Sequence, residues 1–294
     1  MKLLIVGISG SLGSQLKLKV APLLASVDEL ISASHSLDFH VSRDLHTLAL
    51  DITCLEHLKR LFDLHPDITD IIFTPELRHI FSLLDFIRSN SFSPRIICFS
   101  SQAVFTSIPY SKNREWRVLA EKLVHNYPLN IIILRLNMVF GHAADRNISL
   151  MQRSLKMWPV IPLVVSNRFE SAIISPVFID DLISCLFNIL HSTLSPGIYN
   201  VSGFTEMSTL SFIMLSSRLN RHQIILIPLP IFLFRLLIIP LYLFNTSYFL
   251  RLFEFSSRFI EDKCLATSTI LLRHRLYQPS SYIKTLVTSF IRST

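Results

Sequence analysis

The chain has 294 residues, half of them hydrophobic, and a formal net charge of +7. Such a length allows a large core in one or two domains. The basic residues are scattered rather than interleaved with aromatic residues, which argues against nucleic acid and favours an anionic small ligand or a membrane surface. The four cysteines form no CxxC pair and the 11 histidines no ligand-spaced cluster, so we expect reduced thiols, a cytoplasmic location and no metal site.

An apolar strand at the N-terminus is followed directly by a glycine-rich turn. Leu3 to Val6 form an unbroken apolar run, which predicts a buried parallel strand. Gly7, Gly10 and Gly13 follow, and a helix is predicted over about Ser14 to Ala25. Glycines let the backbone approach a pyrophosphate, which then binds the N–H groups at the helix start. The predicted cofactor contacts in this turn are Gly7, Ser9, Gly10, Ser11, Leu12 and Gly13. An ordinary turn without a ligand is the alternative.

The second predicted strand, Glu29 to Ser34, ends without the acidic residue that binds an adenosine ribose in many dinucleotide folds. His35 takes that place, and Asp38 comes slightly too late. The cofactor is therefore predicted as NAD or NADP, and the missing acid favours NADP. His46 to Asp51 predicts a third strand.

Strands and helices continue to alternate along the chain. The next predicted elements are a helix at Leu55 to Leu64, a strand at Asp70 to Thr74, a helix at Ile80 to Ile87, and strands at Arg95 to Ser101 and Asn130 to Gly141. This alternation predicts an α/β fold built on a doubly wound parallel sheet.

A series of motifs extends over nearly the whole chain. The glycines give GxxGxxG, Asp51 ends the third strand, and the later motifs are SSQAVF at 100–105, LRLNMVFG at 134–141, PVFIDDL at 176–182 and GIYNVSG at 197–203. In this order they resemble the extended short-chain dehydrogenase/reductase superfamily, the NAD-dependent epimerase/dehydratase group. The DRNI segment at 145–148 resembles a subgroup found with surface-polysaccharide enzymes, and also the accessory-subunit branch of respiratory complex I.

The resemblance implies a Rossmann-like fold with a smaller, mostly helical C-terminal domain that covers the substrate. Residues 1–167 would form the dinucleotide domain, 174–190 would return to it, and 202–294 would form the covering domain. Ser101 takes the place of the catalytic serine. Further implied cofactor contacts are His35, Asp51, Ile52, Ser100 and Arg117.

The chain departs from the family at its proton-transfer pair, a Tyr with a Lys four residues later. Aligning Glu121 on the glutamate of the family's helix puts Asn113 in the Tyr place and Arg117 in the Lys place. Asparagine has no proton to exchange near neutral pH, whereas arginine stays charged and can bind ribose. An alternative register makes Tyr110 the acid/base, with Arg114 four residues later.

The most apolar stretch is Ile224 to Phe244. Its length matches a bilayer span, but Arg235 lies at its middle and Pro228, Pro230 and Pro240 interrupt it. A buried core segment, an interfacial patch and a membrane span are the three interpretations, and the first is preferred.

These observations lead to two functional hypotheses. The first is an atypical NAD(P)-dependent epimerase/dehydratase-like oxidoreductase, a 4-epimerase or ketoreductase acting on a nucleotide-activated or lipid-linked sugar. The second is a catalytically impaired dinucleotide-binding protein with a structural or assembly role at a membrane complex. Peripheral membrane contact and homo-oligomers are compatible with both.

Overall fold

The computed structural model describes residues 1–19, 27–34, 46–107, 112–141, 160–204, 206–219, 225–244, 252, 257, 260–262 and 266–281. Four predicted features lie wholly or partly outside these ranges: residues 20–25 of the first predicted helix, His35, Tyr110 and the segment 145–148.

The main sheet consists of strands β1 (Lys2–Val6), β2 (Glu29–Ser34), β3 (His46–Ala49), β4 (Asp70–Phe73), β5 (Arg95–Ser101), β6 (Ile131–Leu136) and β11 (Gly197–Val201). Its order is β11-β6-β5-β4-β1-β2-β3, and all neighbouring strands are parallel. The predicted doubly wound sheet is confirmed, and the fold is Rossmann-like. GIYNV at 197–201, which was not predicted as a strand, is its seventh member.

Helices cover both faces of this sheet. They are α1 (Ser11–Lys19), α2 (Leu55–Leu64), α3 (Phe81–Ser89), α4 (Lys112–His125) and α5 (Ile179–Leu190), with short 3-10 helices at Leu77–His79 and Gln102–Phe105. One core layer joins the sheet to α1 and α5 through Leu16 and Leu182. The other joins it to α2, α3 and α4, for example through Leu58, Leu84 and Val124. Alternate residues of each central strand face opposite layers, so these strands are apolar on both sides.

Shorter strands form three two-stranded sheets. They are β7 (Val139–Phe140) with β10 (Val177–Phe178), β9 (Ile173–Ile174) with β12 (Met207–Ser208), and β8 (Val160–Val165) with β13 (Ile225–Pro230). The predicted sixth strand is thus interrupted: the main sheet keeps it only to Leu136, and β7 pairs with β10 instead. The break is at Asn137, whose side-chain amide donates to Ser175 Oγ at 2.5 Å.

The last helices described are α6 (Thr209–Leu219), α7 (Ile231–Phe244) and α8 (Thr269–Arg273). The apolar stretch is therefore a strand followed by a helix. Its preferred interpretation as buried core is wrong for α7, where Leu236 and Leu237 are 60% and 69% exposed. None of the described helices has the length and apolar character needed to cross a membrane.

Candidate functional site

The candidate site lies at the edge of the sheet where the parallel strands end. In open α/β sheets ligands bind in the crevice outside the carboxyl ends of the strands. The turn after β1, the residues after β3 and the end of β5 all reach this edge. The predicted cofactor and catalytic residues on these segments are thereby brought to one side of the molecule.

Gly7 is fixed by Thr74 and Pro75, which directly follow β4. Its φ is +83°, and a Cβ here would lie 2.6 Å from Thr74 Oγ1 and 2.8 Å from Pro75. Thr74 Oγ1 donates to the carbonyl oxygens of Val6 and Gly7, both at 2.9 Å. Only glycine fits this position without a shift of the β4 end.

Gly13 and Gly10 have different roles in the same turn. A Cβ at Gly13 would lie 2.3 Å from the Gly7 carbonyl oxygen, so glycine lets α1 pack closely on the turn. Gly10 is exposed and precedes the first residue of α1; its carbonyl accepts from Ser14 N at 2.8 Å, as expected of an N-cap residue. Ser9 and Ser11 on either side are also exposed. The surface at the helix N-terminus is therefore open to an anionic group.

The turn is tied to the second strand. Ser34 Oγ donates to Ser9 Oγ at 3.0 Å, and Gly7 N donates to the Ala33 carbonyl at 2.8 Å. Residues 35–45, which include His35, lie outside the described part of the chain. Selectivity between NAD and NADP thus stays a prediction from sequence.

Asp51 and Ile52, the predicted adenine contacts, are half-buried after β3. Asp51 Oδ1 accepts from Thr53 N at 2.9 Å and from Thr53 Oγ1 at 2.7 Å, while Asp51 N donates to His57 Nδ1 at 3.1 Å. This local turn leads into α2 and holds the Asp51 backbone at the strand end.

The two serines at the end of β5 face opposite layers. Ser101 Oγ accepts from Ala103 N at 3.2 Å and so caps the following 3-10 helix. Ser100 is in register with Arg135 on β6, and its buried Oγ has no hydrogen-bond partner among the described residues. Tyr110, the predicted acid/base, is on a segment that the structure does not describe.

A buried ion pair fixes the rotation of α4 about its axis. Glu121 accepts from Arg135 Nη2 at 2.6 Å and from Arg135 Nε at 2.9 Å, and its side chain is 4% exposed. Arg117 precedes Glu121 by four residues, so it occupies the same face of the helix toward its N-terminus. The side chain of Asn113, in the predicted Tyr place, lies outside the described part of the chain. The Arg117 guanidinium lies 4.5 Å from the centre of the Trp116 ring. The ion pair between Glu121 and Arg135 was not predicted. Arg135 belongs to the LRLNMVFG motif, and Glu121 is the residue aligned on the family's helix glutamate.

Glu261 contacts the segment that follows β5, and the sequence did not predict this contact. Its carboxylate accepts from Thr106 Oγ1 at 2.5 Å, from Ser107 N at 2.6 Å and from Ser107 Oγ at 3.1 Å. These residues follow the SSQAVF motif and lead toward Tyr110. No local pattern around Glu261 indicates a contact across more than 150 positions.

The paired acids at the start of α5 are both occupied by structural contacts. Asp180 forms an ion pair with Lys19 of α1. Asp181 accepts from Ser280 N and from Ser280 Oγ, each at 2.7 Å. Their positions in the first helical turn also favour negative charge.

Comparison with known proteins gives similarity at the level of structure. No protein-family model matches the chain, and no curated protein sequence matches it. Among solved structures, dTDP-4-dehydrorhamnose reductase from Bacillus anthracis with NADP has a TM-score of 0.71 at 17% identity, covering 99% of this chain and 98% of its own. UDP-glucose 4-epimerase from Thermus thermophilus with NAD has 0.70 at 14%, covering 100% and 99%. The Bordetella bronchiseptica enzyme WbmG with NAD and UDP has 0.72 at 12%, covering 99% and 93%. At these identities the comparison shows a shared fold.

Proposed function

We propose that the protein is an NAD(P)-dependent oxidoreductase of the extended short-chain dehydrogenase/reductase type that acts on a nucleotide-activated or lipid-linked sugar. The observation that supports this most strongly is the glycine turn. Gly7 and Gly13 are required by contacts of 2.6 Å or less, whereas Gly10 faces solvent at the helix N-terminus. The solved structures with this fold that contain NAD or NADP support the same proposal.

The described residues fit a dinucleotide. Backbone N–H groups at the start of α1 would hold the pyrophosphate, and the segment at Asp51 and Ile52 would contact the adenine. Arg117 would bind the nicotinamide ribose, because a guanidinium stays charged at any physiological pH. The bound nicotinamide would exchange a hydride with a sugar carbon.

Ser101 and Tyr110 are the proposed catalytic residues. The Ser101 hydroxyl would orient the reacting hydroxyl or ketone of the sugar, and the Tyr110 phenol would move its proton. In a 4-epimerase or a ketoreductase the reacting centre is a secondary alcohol or its ketone, which needs these two functions. A Tyr110→Phe variant should lose turnover of a sugar substrate while it retains dinucleotide binding.

A homo-oligomer is also proposed. Helix α4 exposes Val118, Leu119 and Leu123, which are between 41% and 57% exposed, on its side away from the core. Burial of this apolar strip against a second copy would remove it from water.

Calorimetric titration with NAD, NADH, NADP and NADPH tests the proposed cofactor site. Gly10→Asp should abolish binding, because the new carboxylate would occupy the place of the pyrophosphate, yet aspartate is favourable at an N-cap and should preserve the fold. Gly197→Asp at the opposite edge of the sheet is the matched control: a Cβ there meets only the Tyr199 ring at 3.4 Å or more. Absence of binding by the folded wild-type protein would reject the enzyme proposal and the dinucleotide-binding alternative alike, and a protein or membrane partner would then have to be sought.

A further inference from the structure

Helix α7 presents a broad apolar surface to solvent. Exposure ranges from 38% to 69% for its outward side chains, which are Phe232, Leu233, Leu236, Leu237, Ile239 and Tyr242. At 3.6 residues per turn these positions cover more than half of the helix circumference. Ile231 and Ile238 face inward and are buried. A monomeric protein rarely exposes a continuous apolar surface of this kind without a binding partner.

The apolar surface continues onto the elements beside α7. Ile225 and Ile227 of β13 are 63% and 50% exposed. Asn167 Oδ1 accepts from Phe232 N at 3.2 Å, so the turn at 166–170 lies at the start of α7. This turn exposes Arg168 and Phe169, and Phe169 is 62% exposed with a φ of +62°.

The charges near this surface indicate what kind of partner it would bind. The six outward side chains named above are uncharged, and the half-buried Arg235, between Tyr242 and Ile239 around the helix, donates to Ser257 Oγ at 2.9 Å. The turn at the start of α7 exposes Arg168 together with Glu170, and the whole chain has a formal net charge of +7. An apolar face with aromatic and leucine side chains, on a chain of net positive charge, is the pattern of helices that lie in the surface of an anionic membrane.

The length of α7 indicates how the helix would be oriented relative to a membrane. Fourteen residues give a helix about 21 Å long, whereas a span of the hydrocarbon core needs about 30 Å. Pro240 inside the helix also leaves its backbone hydrogen bonding incomplete. Such a helix lies parallel to the membrane plane with its apolar face among the acyl chains.

We propose that α7, together with Ile225, Ile227 and the turn bearing Arg168 and Phe169, docks the protein on an anionic lipid bilayer. The docking face is made of residues outside the dinucleotide site, so this proposal does not depend on the proposed function. A protein held in this way would have access to a substrate whose lipid part remains in the membrane.

Vesicle flotation of the full chain tests the apolar part of the proposal. The wild-type protein should float with vesicles of phosphatidylcholine and phosphatidylglycerol and bind more weakly to phosphatidylcholine alone. Leu237→Glu should reduce the bound fraction at least tenfold, because a carboxylate would enter the acyl region. Leu55→Glu is the matched control, since Leu55 on α2 is 67% exposed and Leu237 is 69% exposed. The control should float like the wild type, and thermal melting should show both variants folded.

Charge reversal tests the electrostatic part. Arg168→Glu should weaken binding to the anionic vesicles about fivefold or more, whereas Arg60→Glu on α2 should leave it unchanged. Light scattering without lipid measures the oligomeric state and so tests whether a second copy of the chain covers α7 instead. Failure of the wild-type protein to bind anionic vesicles would overturn the proposal. The proposal would also be overturned if Leu237→Glu floated like the wild type but no longer formed a dimer that the wild type forms. In that case α7 would bind a second copy of the chain.

Discussion

At the scale of single residues, burial divides the thiols of this chain by reactivity. Cys98 and Cys185 are completely buried, and loss of solvation raises the pKa of the Cys185 thiol to about 12 and that of Cys98 still more strongly. The buried Cys185 thiol therefore stays protonated at pH 8, and the thiolate is the reactive form. Cys54 is half-buried at the start of α2.

We therefore expect native protein to react with iodoacetamide at Cys54 and to protect Cys98 and Cys185. Peptide mass mapping after a timed reaction at pH 8 would measure each site. A Cys264→Ser background removes the thiol that lies outside the described residues. Unfolding in guanidinium should make the remaining three react at similar rates, and equal labelling of Cys185 and Cys54 in the native protein would contradict the assignment.

At the scale of elements, the Glu121–Arg135 pair determines how α4 sits on the sheet. Glu121→Gln would leave the Arg135 charge in a largely buried place, and the loss of such a partner costs about 3 kcal/mol of unfolding free energy. Urea denaturation would measure the loss. Glu115→Gln on the same helix, where the carboxylate is exposed, should change stability little. A Glu121→Met, Arg135→Met double variant should be more stable than Glu121→Gln, and equal losses in the two would contradict a charge effect.

Elements whose structure is determined by local sequence patterns were predicted with the bounds that the structure shows. Examples are β2, β5 and α2, where unbroken apolar runs or helical spacing determine the structure locally. The apolar stretch at 224–244 was not resolved into a strand and a helix, because hydropathy alone does not separate them. Pro228 and Pro230 are tolerated in β13 because it belongs to a two-stranded sheet, where one side of each strand needs no ladder partner. The doubly wound sheet itself was predicted correctly.

At the scale of the whole molecule, the C-terminal part of the chain is joined to the edge of the sheet by side-chain hydrogen bonds. Ser268 Oγ accepts from Asn200 N at 2.8 Å and Thr267 Oγ1 from Ser202 N at 3.1 Å. Asp262 Oδ1 accepts from Ile173 N at 2.8 Å. Each contact joins residues more than 60 positions apart, so no local pattern predicts it. For this reason the glycine turn and the strand ends could be predicted from the sequence, whereas the contacts of Glu261 with Thr106 and Ser107 could not.

Glu261 is expected to hold the segment that leads from Ser101 toward Tyr110. Glu261→Ala would remove the acceptor of Ser107 N and of two hydroxyl groups, so amide hydrogen exchange at residues 105–107 should become at least tenfold faster, while exchange in β5 stays slow. Asp262→Ala is the matched control, because its carboxylate accepts from Ile173 N and its loss should accelerate exchange there instead. Exchange measured by mass spectrometry needs no substrate. If residues 105–107 kept the wild-type rate in folded Glu261→Ala protein, their position would be set by the main sheet, and the C-terminal part of the chain would have no influence on the proposed catalytic segment.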